Sequence, residues 1–262
     1  MTDRQFGICR VAVAPIRSEP SDRSEISTQI LFGDSVEVLQ KTERWWQVRN
    51  GYDGYEGWMD FKQLTEISFA QYLDNQRIEY FAPLQVNNVL LAEDGSHYYL
   101  SPGSNLPQYK DGTCYLGTNK FQVLFTPFHL TAIASPKEIA DMALFFLNAP
   151  YLWGGCTLFG IDCSGLMQVI FKMAGIKLKR DASQQAEQGK IVDFLPKVRL
   201  GDVAFFDNED GRIIHVGLLL SSNKIIHASG KVRVDPIDDQ GIYNVELGKY
   251  SHKLRIIKRF MA

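Results

Sequence analysis

Residues 160–175 read GIDCSGLMQVIFKMAG, and the fold class turns on this stretch. Leu166, Ile170 and Met173 or Ala174 recur three or four apart, the spacing of a helix with one apolar face, and Gly175 supplies a stop. Cys163 falls where that helix begins, so its sulfur is expected to face unpaired backbone N–H groups and the positive end of the helix dipole. Both favour thiolate over thiol. The thiolate is the nucleophile and an ordinary cysteine has a pKa of about 8.5, so such a residue needs only a nearby imidazole to react at neutral pH. Gly165 would let another backbone approach closely. A cysteine amid apolar residues is, taken alone, more often an inert core thiol.

A partner for Cys163 is offered by His215 and His227, two of five histidines in the chain. They lie in HVGLLLS and KIIHASG, consecutive strand patterns joined around SSNK. A three-residue loop Ser221–Asn223 sets His227 opposite Gly217 and leaves His215 one diagonal step away on the same face, within reach of a ring-to-ring hydrogen bond. An even loop would put the rings on opposite faces. On the odd register His215 takes the thiol proton, and His227 holds the imidazole in the useful tautomer.

Upstream, SPKEIADMALFFLNAP from Ser135 carries an N-cap serine, a proline at the first helical position and an acid one turn in, which opens a new domain with a helix. Before it the texture is β. Short alternating apolar pieces run from Val11 to Leu64 (VAVAPI, QILFGDSVEVLQ, WWQVRN, YEGWMDF), broken by turn residues, and NNVLLAED, SHYYLSPG and FQVLFTPF repeat the pattern less clearly. The expected organisation is two small all-β domains, 1–65 and 66–130, before an α+β domain, 131–262. GDVAFFD and KLRIIKRF supply further strands of that last domain.

With 45% apolar and 22% charged residues the chain reads as globular, which sets disordered and fibrous classes aside. A formal charge of −2 with scattered basic residues gives no footprint for nucleic acid. No run approaches the ~18 apolar residues of a membrane helix, and MTDRQFGICR lacks the apolar core of a secretory signal, so the expectation is a cytoplasmic protein without a membrane partner. Cys9, Cys114, Cys156 and Cys163 are too irregularly spaced for a disulfide framework and are read as thiols.

From Tyr151 to His227 the chain resembles the NlpC family of cell-wall cysteine peptidases. YLWGG, DCSG, GDVAFF, HVGLLL and IIHAS occur in that family's order and spacing. The resemblance implies a compact papain-like fold, with Cys163 as nucleophile, His215 as base and His227 as third member. It places Tyr151 near the oxyanion hole beside the backbone N–H of Cys163, and puts Trp153 in the cleft. No cofactor is implied.

Lys179–Gln185, KRDASQQ, resembles the substrate segment of γ-D-glutamyl-L-diamino-acid endopeptidases. Arg180 would then meet the free α-carboxylate of a γ-linked D-glutamate with a guanidinium fork, and Asp162, Ser164 and Asp181 would complete a polar pocket. The first β domain resembles the bacterial SH3-like modules of those enzymes through EPSDRSEISTQILFGD and DGYEGW. This implies that Glu25 and Tyr55 hold a free N-terminal amine. The substrate is then a murein-derived stem peptide beginning L-Ala-γ-D-Glu, met in cell-wall peptide recycling. Three other readings stay open on the sequence: a non-catalytic wall-peptide binder, an amidase or acyltransferase of the same fold, and a zinc site of Cys156, Cys163, His215 and His227. Neither the diamino acid nor the oligomeric state is legible.

Overall fold

Alternating patterns with turn residues between them give strands, and strands make up most of the regular secondary structure. The computed structural model of the protein describes residues 4–193 and 195–261; Met1–Asp3, Phe194 and Ala262 lie outside them. The chain divides into two units. One runs to Thr131 and includes Cys156–Leu158, and the other comprises Ala132–Gly155 and Phe159 onward.

The first unit opens on a seven-stranded antiparallel sheet. Its order is Ile26–Leu31, Val13–Arg17, Glu56–Asp60, Trp45–Asn50, Ser35–Lys41, Gln5–Cys9 and Leu64–Ile67. Alternate residues point inward, as period-two patterning requires, and Ala14, Ile16, Ile30, Val36, Val48 and Met59 fill its core. A four-stranded sheet follows, in the order His97–Leu100, Asn88–Ala92, Asn119–Val123, Thr113–Leu116. Its core of Leu90, Leu106, Leu116 and Phe121 also takes in Ile8 and Phe32, so the two sheets share one unit. At Gly33, with φ +81°, a Cβ would stand 2.6 Å from the Asn105 carbonyl oxygen, so only glycine permits that close turn. Between the sheets lies a short helix, Phe69–Asp74, which the β texture does not announce. Ser68 and Gln71 form its capping box.

The second unit is built on the helix Cys163–Met173, where every residue but Lys172 is buried. A helix buried on nearly every side belongs in the middle of a fold, and this one packs against the helix Pro136–Phe145 and the strands Ile213–Ser221 and Lys224–Ser229. Ser135 caps Pro136–Phe145 as the sequence predicts: its N–H donates to Glu138 Oε2 at 2.7 Å, and its hydroxyl accepts the Glu138 N–H at 3.3 Å. The sheet runs Lys190–Val192, Lys249–Arg259, Val203–Asp207, Ile213–Ser221, Lys224–Ser229, Lys231–Pro236, with Gly241–Asn244 paired to Lys249–Arg259. Helix packed on antiparallel sheet is the papain-like arrangement, and it brings the start of the central helix to the strand that carries His215. All four cysteines are free thiols. No helix among the described residues is long and apolar enough to cross a membrane.

Candidate active site

Asp162 sets the position of Cys163, the expected nucleophile. As N-cap of the central helix it accepts the Gly165 N–H at 2.6 Å on Oδ1 and the Gly154 N–H at 2.8 Å on Oδ2. The second bond ties the YLWGG segment to the helix start. Cys163 is therefore the first helical residue, 8% exposed. Its sulfur receives backbone N–H groups of Ser164 and Val216, and Val216 follows His215 directly.

Burial outweighs those donors. It pushes the Cys163 thiol up to about 12, and the Asp162 charge adds to this, while the two N–H groups and Arg180 pull the other way. Burial likewise holds His215 well below the usual histidine value of 6.5, helped by His252 and His227. Desolvation of the buried sulfur thus opposes the thiolate that the helix start favours, and burial pushes Cys163 and His215 each toward its neutral form.

The histidine hairpin has the odd register. Gly217 pairs with His227, and His215 Nε2 stands 2.8 Å from His227 Nδ1. The turn differs in detail from the predicted three-residue loop: Ser221 pairs with Lys224, and the register slips between Leu219 and Ser221. The extra residue is a bulge in the strand, and a two-residue turn plus a one-residue bulge leaves both rings on one face.

Two residues join this line that no motif announces. His227 Nε2 lies 3.0 Å from Asp235 Oδ2, with both side chains buried. Arg233 holds Asp235 from the other side, donating from Nε to Oδ2 at 2.7 Å and from Nη2 to Oδ1 at 3.0 Å. His252 stacks on His215 with centroids 4.0 Å apart and planes 20° from parallel. The Gly230 turn, which pairs Ser229 with Lys231, was the available signal for Asp235, because it fixes His227 opposite Arg233 with Asp235 two residues on, on the same face.

The ring nitrogens of His215, His227 and His252 lie within 4.8 Å of one another. His215 and His252 stack, and the facing nitrogens of His215 and His227 are spent on their own hydrogen bond.

Arg180 departs from its expected task. Its guanidinium is 2% exposed and closed on Asp162, Nη2 to Oδ2 at 2.6 Å and Nη1 to Oδ1 at 3.1 Å, with Nη1 also donating to Ser164 Oγ at 2.8 Å. The fork expected to meet a substrate carboxylate serves instead to neutralise the acid beside the nucleophile. Asp181 heads the short helix Ala182–Gln185, and its N–H donates to Gln184 Oε1 at 3.3 Å. Tyr151 bridges Ile161, two residues before Cys163, and its N–H donates to the carbonyl of Gly230, in the turn after the strand that carries His227, at 3.0 Å. Burial first, then the Cys163 and Asp162 charges, raise its phenol to about 12, so it stays a hydrogen-bond donor. Trp153 is 59% exposed. Glu25, exposed at the start of Ile26–Leu31, and Tyr55, half-buried before Glu56–Asp60, belong to the first unit.

Residues 148–249, which hold Cys163, His215 and His227, match the NlpC/P60 family. The chain is 32% identical over 230 residues to the gamma-D-glutamyl-L-lysine dipeptidyl-peptidase of Bacillus subtilis, covering 78% of this chain and 72% of that relative. The chain belongs to the NlpC/P60 family. It is a cysteine peptidase of that family, with a papain-like domain and an N-terminal SH3-like all-β region, and residues 16–64 match the bacterial dipeptidyl-peptidase SH3 domain. A Bacillus cereus relative, also a gamma-D-glutamyl-L-lysine dipeptidyl-peptidase, is 27% identical over 256 residues, covering 84% of this chain and 73% of that one. The crystal structure of an NlpC/P60 family protein from Bacillus cereus shares the fold, with a TM-score of 0.83 at 21% identity over 98% of this chain and 100% of that one.

Proposed function

We propose that this NlpC/P60 peptidase hydrolyses the bond between the γ-carboxyl of D-glutamate and an L-diamino acid in free murein stem peptides that begin L-Ala-γ-D-Glu. One conjunction carries the reading: the bonded His215–His227 pair, whose strand also brings the Val216 N–H to the Cys163 sulfur, occurs in the same chain as an N-terminal region matching the SH3 domain of bacterial dipeptidyl-peptidases. The relatives' dipeptidyl-peptidase activity on γ-D-glutamyl-L-lysine supports the same bond.

His215 removes the thiol proton as the sulfur attacks the γ-carbonyl carbon. Starting from a neutral pair, transfer and attack proceed together, and the oxyanion is met by the N–H of Cys163 and the Tyr151 hydroxyl; one such donor is worth about 3 kcal/mol in the transition state. The protonated His215 returns its proton to the departing amine, which leaves a thioester on Cys163. Water, activated by the same imidazole, releases L-Ala-γ-D-Glu. Of the polar residues expected beside Cys163, Asp181 is half-buried and is the one proposed to meet a charged peptide, whereas Asp162 and Ser164 are buried and bonded to Arg180.

The proposal extends to Glu25 and Tyr55 as the groups that receive the substrate's N-terminal ammonium, on the resemblance of their segments to the SH3-like modules of such endopeptidases. A carboxylate and a phenol suit an ammonium, and a blocked amine would lose both partners. Such an enzyme acts on peptides already released from glycan, which fits a recycling role in the cytoplasm.

The test is to incubate the protein with L-Ala-γ-D-Glu-L-Lys, its meso-diaminopimelate counterpart and the N-acetylated form of each, with Cys163→Ala as control. Release of L-Ala-γ-D-Glu from free-amine peptides alone supports the bond and the amine requirement. Equal cleavage of the acetylated forms removes the role of Glu25 and Tyr55, and cleavage of neither form removes the substrate assignment.

A further inference from the structure

The hydrogen-bond line behind the nucleophile does not stop at His227. It continues to Asp235, where His227 Nε2 meets Oδ2 at 3.0 Å. We propose that Asp235 is a positioning residue of the catalytic machinery, which fixes the tautomers of His227 and, through it, of His215.

The argument is one of donors and acceptors. An ionised carboxylate only accepts, so His227 must carry its proton on Nε2 and present a bare Nδ1. That bare Nδ1 stands 2.8 Å from His215 Nε2, which must then carry the hydrogen. The lone pair of His215 is left on Nδ1, the nitrogen free to take the thiol proton. Without a fixed acceptor at the far end, His227 could hold its proton on Nδ1 instead. His215 Nε2 would then accept, its Nδ1 would carry hydrogen, and the base would face the thiol with the wrong edge.

Asp235 is well placed to remain ionised. It is 2% exposed, and although burial alone would raise its pKa, the hydrogen bonds from His227 and Arg233 leave it below the usual carboxylate value. Arg233 grips both carboxylate oxygens, so the Oδ2 that faces His227 cannot swing away. Arg233 is itself held by Glu246 Oε2 at 2.8 Å from Nη1. His252, flat against His215, restrains the ring at the other end. When His215 becomes imidazolium during attack, the carboxylate also lies along the line of developing charge. No proton need reach it: one S–H bond breaks, one Nδ1–H bond forms, and the two hydrogen bonds behind shorten.

This inference rests on the assignment of His215 as base, but its primary test needs no substrate. Histidine-labelled protein is read by long-range ¹H–¹⁵N spectra as the parent, Asp235→Asn and Asp235→Ala. The parent is expected to show His227 protonated on Nε2 and His215 on Nε2. In Asp235→Ala the acceptor is gone and a His227 Nδ1–H population appears. Asp235→Asn keeps an acceptor oxygen, retains more of the parent tautomer, and serves as the reading if the alanine variant does not fold. Turnover is expected to fall about 10²- to 10⁴-fold in Asp235→Ala, with KM nearly unchanged and Asp235→Asn in between. Unaltered tautomers in both variants, with kcat within about twofold of the parent, would overturn the proposal. A failed substrate assignment would abolish turnover in the parent as well and leave the spectra intact, so the two failures are distinguishable.

Discussion

Arg180 closes both arms of its guanidinium on Asp162, the residue that caps the central helix and precedes the nucleophile, and both side chains are buried. The pair is a condition for the site: Asp162 anchors Gly154 and Gly165 around Cys163, yet an unpaired carboxylate there would oppose any negative charge on the sulfur.

Removing the cation leaves a buried, uncompensated acid. Arg180→Met is expected to cost about 3–5 kcal/mol in urea unfolding, whereas Arg180→Lys, a point charge without the fork, should cost less. A loss below about 1 kcal/mol for Arg180→Met would show that Asp162 does not depend on it.

His227 transmits orientation to His215 across a 2.8 Å contact. His227→Ala should therefore lower kcat by about 10²- to 10⁴-fold at nearly constant KM, since the lost interaction concerns the transition state. A rise in KM with kcat unchanged would instead place His227 in substrate binding.

The pH profile follows from burial. His215 acts as base only when neutral, and its pKa lies well below 6.5, so kcat/KM should stay flat down through pH 6.5 and fall only at more acid pH. The Cys163 thiol, pushed up to about 12, should be alkylated by iodoacetamide at a rate that still climbs at alkaline pH. Half-loss of kcat/KM at pH 6.5 or above, or alkylation already level in acid, would mean a resting thiolate–imidazolium pair.

At Gly217 a Cβ would lie 2.8 Å from the Cβ of His227 and 2.8 Å from the Ile225 side chain. Gly217→Ala is expected to destabilise by about 1–3 kcal/mol and to depress kcat by tilting His227. Parent-like stability and kcat together would show that the hairpin relaxes freely.

Cys163 at the helix start and the His215–His227 pair were legible because their information is local. A cap, an apolar helical period and a glycine stop lie within residues 160–175, and the register of His215 and His227 depends only on the parity of one short connection. The bulge shows the limit of that reasoning: parity survives, while the residues of the turn do not. Asp235 carries a local signal in the Gly230 turn, whereas His252 is illegible for a different reason. His252 reaches His215 only because Lys249–Arg259 enters the sheet beside Val203–Asp207, a pairing across about fifty residues that no spacing records. Arg180 is legible as a fork that binds a carboxylate, and the carboxylate it holds in the structure is Asp162. Charge complementarity names what a guanidinium can bind, and a buried carboxylate eighteen residues upstream satisfies it as well as a ligand does.

The central claim is a thioester on Cys163, and it is tested most directly by acid quench of the enzyme during turnover of L-Ala-γ-D-Glu-L-Lys, followed by peptide mass spectrometry. The predicted result is the mass of an L-Ala-γ-D-Glu acyl group on the peptide that contains Cys163, absent from Cys163→Ala along with all turnover. Product release by Cys163→Ala at the parent rate, with no adduct on the parent, would contradict it.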